Sequence, residues 1–129
     1  MNVKNLIYLV GRLTADPELR YTPQGTPVTN FALAVNRSIR KPEGGWKDEL
    51  DGFFDCELFG GAALTLCEDF KKGATVQISG SLRQKTWKPN GEQGRTASKI
   101  EIRVESIAAV LEVRKANEAT EKQPEPQPA

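Results

Sequence analysis

Apolar and polar residues alternate with a period of two along most of the chain, which is the pattern of half-buried β-strands. The alternation covers residues 28–37, 53–59, 75–87 and 96–105. Residues 6–10 are instead apolar at every position, so a strand there needs cover on both faces. We therefore expect five strands, the first of them packed between the core and a partner subunit.

A single segment has helical spacing. In residues 60–72, apolar side chains recur at intervals of three and four, and Gly73 follows as a C-terminal stop. Residues 38–50 hold one proline, two glycines and six charged residues, which predicts a flexible hairpin loop between the second and third strands. The apolar periodicity ends after about residue 113, so we expect one folded domain over 1–113 and a short disordered tail over 114–129.

The order of these elements narrows the fold class. Three strands, one helix and two further strands are what an all-β, five-stranded Greek-key OB-fold barrel requires, with its one short helix between strands 3 and 4. An SH3-like barrel is the nearest competitor, and the position of the helix disfavours it. The sequence therefore predicts an OB-fold barrel.

Composition excludes several classes of protein. With 38% hydrophobic and 27% charged residues the chain has the profile of a globular domain, and no apolar run approaches the roughly 20 residues of a membrane span. No secretion signal is visible at the start, so we expect a cytoplasmic or organellar protein. The net charge is +1, but residues 116–129 hold three acidic residues and one basic residue, so the remaining body is more basic than the whole.

The chemistry available for catalysis is sparse. The chain contains no histidine, which removes the commonest general base and metal ligand, and two cysteines alone build no familiar zinc site. We interpret Cys56 and Cys67 as reduced thiols that pack mostly in the core. Asp55 and Glu57 form a carboxylate pair on one strand face, where a structural or solvated role is the simpler interpretation. We expect no enzyme activity, no metal and no cofactor.

The parts needed to bind a single-stranded nucleic acid are present. Such binding takes aromatic planes on which bases stack and cations along the path of the phosphates. The outward faces of strands 3 and 4, and the segment before strand 3, supply both. The candidates are Arg37, Arg40, Lys41, Trp46, Lys47, Phe53, Phe59, Arg83, Lys85 and Trp87.

Most of these candidates have a structural alternative. For Phe59 it is a cap on the barrel, for Phe53 packing beneath the long loop, and for Trp87 a place in a subunit interface. The cations of residues 37–47 have the alternative of serving solubility alone. The residues by themselves therefore leave both interpretations open.

Several motifs, in the same order, resemble those of bacterial and organellar single-stranded DNA-binding proteins. Residues 9–13, then 16–21 and Gly25, carry the first part of the resemblance, which extends to about residue 110. The later matches are Asn30, Phe31, Leu33 and Ala34, the turn Leu58, Phe59 and Gly60, then Lys72 and Gly73, and finally Gly80, Leu82, Arg83 and Trp87.

The resemblance implies an OB fold, a homotetramer with a dimer as the alternative, and no cofactor. It also implies sequence-tolerant coating of single-stranded DNA during replication, recombination and repair. Its positions imply stacking by Phe53, Phe59 and Trp87, and phosphate contacts by Arg20, Lys72, Arg83 and Lys85.

Some positions depart from the pattern of that family. Ile39 stands where many members have a stacking tryptophan, Phe53 replaces another tryptophan, and Asp55 stands where a basic residue is common. The chain ends without the acidic tip through which members recruit replication and repair proteins, so recruitment of such partners is in question. An OB-fold accessory subunit of a replication or restart complex, acting mainly through protein contacts, is therefore the alternative function.

Overall fold

Six strands and one helix follow one another in the computed structural model, which describes residues 4–91 and 94–111. The predicted tail over 114–129 lies outside these residues. The elements are β1 (Ile7–Leu13), β2 (Glu18–Tyr21), β3 (Pro27–Arg40), β4 (Trp46–Phe59), α1 (Gly61–Asp69), β5 (Thr75–Trp87) and β6 (Ala97–Ala109).

Five of the strands close into a barrel. β1, β5, β6, β4 and β3 are neighbours in that order, and β1 also pairs with β3, which completes the ring. The pairing of β4 with β6 is parallel and sets Glu57 beside Arg103, whereas the other pairings are antiparallel. The short β2 extends the sheet beyond β3. With α1 between β4 and β5, the predicted OB-fold barrel is confirmed.

Alternate residues of the strands fill the interior of the barrel. Leu33, Val76 and Ile78 are fully buried, because every second side chain of these strands points inward. The helix contributes Ala63 and Leu66 to the same core. The periodicity of two along the sequence therefore identified the core residues of these strands.

Both cysteines are free thiols. Cys56 is buried on the inward side of β4, and Cys67 is half-buried on α1. Burial raises the pKa of the Cys56 thiol to about 12, so this side chain stays protonated and unreactive at neutral pH. The expectation of reduced, packed thiols agrees with both positions.

Residues 38–50 form a β-hairpin arm. The prediction of a hairpin between paired strands was correct, but the prediction that the whole segment is a flexible loop was wrong. β3 and β4 stay paired as far as Arg40 and Trp46. Only the turn between them leaves the ladder, and the backbone N–H of Lys41 donates to the carbonyl of Gly45 across it at 3.0 Å. Both sides of this two-stranded ribbon are solvated, which gives the segment the charged composition of a loop. We call residues 38–50 the hairpin arm.

One extra residue in β4 decides which side of the arm its residues face. The pairing of β3 with β4 shifts between Val35 and Asn36, which leaves Asp51 as a β-bulge. Because successive side chains alternate in direction, this bulge brings Trp46 to the same side of the ribbon as Phe53. Without the bulge the two aromatic side chains would point to opposite sides.

Other elements also differ from the prediction, and β6 continues to Ala109 instead of ending at residue 105. The strand β2 was not predicted, because its four residues are all exposed and show no alternation of burial. The helix ends at Asp69 rather than at residue 72, since Phe70 already has extended backbone angles. Gly73, with a φ of 91°, lies in the turn that leads into β5 rather than at the end of the helix.

Candidate nucleic-acid interface

The outward sides of β4, β6 and β5 form one surface, which we call the β4–β6–β5 face. Phe53 and Phe59 point outward from β4 six residues apart, which corresponds to about 20 Å along an extended strand. Trp87 points outward at the end of β5, paired with Ala97 of β6. Phe53 is 65% exposed and Trp87 46% exposed, whereas Phe59 is half-buried. The three predicted stacking residues therefore lie on a single face.

Two glutamates on this face are buried although they point away from the core. Glu57 and Glu101 each expose only 2% of their surface. The ammonium of Lys85 lies 2.7 Å from Glu57 Oε2 and 2.8 Å from Glu101 Oε1, and Lys99 joins Glu101 to Asp55 at 3.5 and 3.7 Å. We call the connected side chains the ion network: Arg20, Asp55, Glu57, Lys85, Lys99, Glu101 and Arg103.

Two arginines complete the network around Glu57. Arg20 Nη2 and Arg103 Nη2 each lie 3.5 Å from a carboxylate oxygen of Glu57. Arg20 also donates from Nε and Nη2 to Asn30 Oδ1, at 3.1 and 2.6 Å. The cations of the ion network are therefore held in fixed positions and are largely neutralised by carboxylates.

The contacts within the network shift the pKa values of its central pair. Burial alone raises the pKa of Glu57, but the hydrogen bond and charge of Lys85, with the charge of Arg103, outweigh burial and leave that pKa below its ordinary value. Glu101 first and Glu57 second raise the pKa of Lys85. Glu57 is therefore ionised and Lys85 protonated throughout the neutral range.

The network changes the interpretation of Lys85. The sequence assigned it to a phosphate contact, but its ammonium bridges two buried carboxylates that have little other access to solvent. Moving Lys85 onto a phosphate uncovers both of them, which is energetically costly. Arg83, two residues earlier on the same side of β5, is exposed and has no ion pair within the described residues. Arg83 is therefore the better placed cation for a phosphate.

Arg103 is the site residue that sequence reasoning missed. Its guanidinium carbon lies 4.3 Å from the centroid of the Phe59 ring, in the geometry of a cation–π contact. In the sequence Arg103 is one of several charged residues that alternate along β6, which looks like an ordinary solvated face. The signal that identifies it, the parallel register with Glu57, is a long-range contact that periodicity does not contain.

The hairpin arm and its base carry the remaining predicted contacts of this region. Trp46 is 66% exposed and lies opposite Arg40, while Lys47 lies opposite Ile39 on the other side of the ribbon. At the base, a long ion pair of 3.9 Å joins Arg37 to a carboxylate of the bulge. These candidates are Arg37, Arg40, Lys41, Trp46 and Lys47.

Lys72 lies apart from the other candidates. It follows α1, and its backbone N–H donates to Asp16 Oδ1 at 2.7 Å, in the segment between β1 and β2. Within the described residues no contact joins its side chain to the β4–β6–β5 face. The structure thus brings Arg20, Phe53, Phe59, Lys85 and Trp87 together but leaves Lys72 beside the helix.

A second surface has a different character. Leu6, Tyr8 and Val10 are 74%, 61% and 42% exposed on the outward side at the start of β1. The Tyr8 hydroxyl donates to Gln77 Oε1 on the neighbouring β5 at 2.7 Å. These side chains are those that the sequence placed in a subunit interface.

The described ranges, residues 4–91 and 94–111, contain neither a membrane-spanning helix nor a metal-binding cluster. No helix there has the length and apolar character that crossing a membrane requires. Across residues 4–91 and 94–111, no group of three or more His, Cys, Asp or Glu side chains is arranged to hold a metal ion.

The protein is an OB barrel with aromatic planes and ordered cations on one outward face. This combination defines a class of proteins that bind single-stranded nucleic acids. A profile of the Single-strand binding protein family matches residues 4–110. This chain belongs to that family.

Curated relatives and a solved structure agree with the assignment. The Single-stranded DNA-binding protein of Aquifex aeolicus is 36% identical over 106 residues, which cover 82% of this chain and 69% of that protein. Its counterpart in Mycobacterium bovis is 40% identical over 106 residues, covering 81% of this chain and 63% of that protein. A deletion mutant of the single-stranded DNA binding protein from Thermus aquaticus superposes with a TM-score of 0.68 at 27% identity, over 84% of this chain and 51% of that one. The chain thus spans only part of the length of these proteins.

Proposed function

We propose that this chain binds and coats single-stranded DNA without sequence specificity during replication, recombination and repair. The observation that carries the proposal is the set of exposed aromatic planes and fixed cations on the β4–β6–β5 face. Membership of the Single-strand binding protein family supports it, as do relatives named for binding single-stranded DNA.

Stacking supplies most of the affinity in this proposal. Every base has a π-face, so stacking tolerates any sequence, and each stacked base contributes roughly 1 to 3 kcal/mol. Phe53 and Trp87 are exposed enough to receive bases directly. A duplex keeps its base faces stacked internally, so it cannot use these planes, and this difference makes the surface selective for single strands.

Phosphate contacts complete the binding path. Arg83 is the cation on the same side of β5 as Trp87, and Arg40 extends the path along the side of the hairpin arm that carries Trp46. Lys47 points to the opposite side of the arm, where it can bind a strand that turns around the arm. Arg20 and Lys85 keep the face basic while they cover Glu57. The remaining candidate cations add to the path where the bound DNA strand turns at the arm or continues around the barrel. They are Arg37, Lys41 and Lys72.

The same proposal covers the oligomeric state and the cellular location of the protein. The exposed apolar side chains of Leu6, Tyr8 and Val10 support assembly of several copies through β1, as a homotetramer or, alternatively, a dimer. The protein acts without catalysis and without a cofactor. Its bacterial relatives support a place beside DNA in the bacterial cytoplasm, an organelle is the alternative, and replication and repair proteins are its possible partners.

Equilibrium titration of a fluorescently labelled oligo-dT, followed by anisotropy beside a labelled duplex of equal length, tests this function. We expect tight binding to oligo-dT and much weaker binding to the duplex. No binding to oligo-dT would contradict the proposal and favour the accessory subunit that acts through protein contacts. Equal affinity for both would contradict selectivity for single strands.

A further inference from the structure

The ring of Phe59 is already covered on one side. The guanidinium of Arg103 lies over it, with 4.3 Å between the guanidinium carbon and the ring centroid. A base can stack on that side of Phe59 only if Arg103 moves away. The stacking role that the sequence gives to Phe59 therefore depends on how firmly Arg103 is held.

Arg103 is held from two directions. Its Nη2 lies 3.5 Å from Glu57 Oε1, and the other oxygen of this carboxylate is occupied by Lys85 at 2.7 Å. The Nε of Arg103 is buried without a hydrogen-bond partner in the described residues, so the ion pair and the ring are what fix the guanidinium plane. Displacing Arg103 removes cover from a buried carboxylate, which is unfavourable.

We propose that Arg103 itself is a base-stacking residue: a base of the bound strand lies on the outer side of its guanidinium, and Phe59 supports the guanidinium from beneath. The Arg103 side chain is 36% exposed although its Nε is buried, so the exposed part is available to a ligand. Unstacked bases pack on arginine planes as they do on aromatic rings. Glu57 is then a positioning residue that keeps the guanidinium on the ring. The inference deepens the proposed function and rests on it.

Replacement by lysine separates stacking from charge. Arg103→Lys keeps the positive charge but removes the planar group, so it removes stacking while it retains attraction to phosphate. The probes are oligo-dT and an abasic strand of equal length, which offers phosphates but no bases. The matched control is Arg12→Lys, the same change in an exposed arginine on β1 outside the assigned face.

We expect Arg103→Lys to weaken binding to oligo-dT about tenfold, which is within the range of one lost stack. Binding to the abasic strand and the dependence of affinity on salt should stay as in the wild type, since the number of phosphate contacts is unchanged. Unchanged affinity for oligo-dT overturns the inference, as does an equal loss on both strands, because that result identifies Arg103 as a phosphate contact.

A second variant keeps the test decisive if lysine disturbs the fold. Arg103→Tyr restores a plane over Phe59 and a hydroxyl that can donate to Glu57, but it carries no charge. We expect it to bind oligo-dT more tightly than Arg103→Lys does. A tyrosine variant that is folded by thermal denaturation but binds more weakly than the lysine variant contradicts the stacking role.

A variant of Glu105 on β6 provides the control for the positioning role of Glu57. Glu57→Gln and Glu105→Gln each remove one negative charge, but only Glu57 contacts Arg103. Both variants gain affinity for the abasic strand through charge. We expect the ratio of oligo-dT to abasic affinity to fall about threefold or more in Glu57→Gln and to stay constant in Glu105→Gln. Equal ratios in both variants overturn the positioning role.

The outcomes also separate this inference from the function on which it rests. If the wild-type chain does not bind oligo-dT, the proposed function fails and the inference fails with it. If the wild type binds oligo-dT tightly and Arg103→Lys binds equally well, the inference alone is wrong.

Discussion

The β4–β6–β5 face and the hairpin arm both combine aromatic residues with cations, but they hold the cations differently. On the face, Lys85 lies within 2.8 Å of two glutamates that are each 2% exposed. At the base of the arm, Arg37 is 3.9 Å from Asp51, and both side chains are about half exposed. The ion network is therefore a fixed part of the face, whereas the exposed ion pair at the base of the arm can open to follow a ligand.

This difference indicates that the face and the arm contribute to DNA binding through different interactions. A buried carboxylate that binds several cations fixes their geometry, which favours stacking on planes at defined positions. An exposed ion pair in high dielectric is weak and is easily exchanged for a phosphate. We therefore expect base stacking to dominate binding at the face and charge attraction to dominate it at the arm.

The largest expected effect is loss of stacking from the face. The double variant Phe53→Ala with Trp87→Ala should weaken oligo-dT binding by roughly 2 to 6 kcal/mol, since each stacked base contributes roughly 1 to 3 kcal/mol. Trp46→Ala on the arm should cost about 1 kcal/mol or less, because an arm that follows the strand loses more entropy on binding. Anisotropy titrations measure both.

The thermal midpoint of the double variant serves as the control for folding. Phe53 and Trp87 are 65% and 46% exposed, so their removal should leave the thermal midpoint nearly unchanged. A folded double variant that binds no worse than Trp46→Ala would reverse the comparison between face and arm.

The next largest expected effect is the loss of folding stability when Glu57 is removed from the ion network. Glu57→Ala should lower the free energy of unfolding by about 1 to 3 kcal/mol, because Lys85, Arg20 and Arg103 lose the carboxylate that holds them. The exposed cations remain solvated, which limits the loss. Asp51→Ala, which breaks the exposed pair at the base of the arm, should change stability by about 0.5 kcal/mol or less. Urea unfolding of both variants tests the contrast, and equal losses would argue against a fixed face.

The smallest effect is the pH dependence of that stability. The pKa of Glu57 is lowered by folding, so its contribution is present at neutral pH and is lost as the pH falls through the folded-state pKa. The pKa of Lys85 is raised, so its contribution is present at neutral pH and is lost as the pH rises through that pKa.

Urea unfolding across pH measures this dependence. The stability gap between wild type and Glu57→Gln should be present at pH 7 and should close in acid. The gap for Lys85→Met should close only at alkaline pH. If the stability gap between wild type and Glu57→Gln widens in acid, that result contradicts a lowered pKa of Glu57 in the folded state.

The alternation of side chains was sufficient to predict the barrel but not the arm. β5 has its predicted bounds, and every second residue is buried in its first half, which lies along the barrel. The arm has no buried side, so its composition resembles that of a loop. The bulge at Asp51 reverses the direction of Trp46 relative to a simple count along β4, and it shows only in the pairing with β3.

The candidate site was predictable only as far as it is local. Phe53, Phe59 and Trp87 follow from the outward positions of single strands. The ion network joins residues from β2, β4, β5 and β6, which are far apart in sequence, so no periodicity identifies Arg103 as a partner of Glu57. The sequence suggested a structural or solvated role for Glu57, and the structural role is the one observed.

The two tryptophans allow the central claim, stacking on the β4–β6–β5 face, to be measured directly, because one lies on the face and the other on the arm. Trp46→Phe leaves only the emission of Trp87, and Trp87→Phe leaves only that of Trp46. We predict that oligo-dT strongly quenches Trp87 in the first variant and quenches Trp46 less in the second. Tight binding of oligo-dT to Trp46→Phe without a change in Trp87 emission would contradict stacking on this face.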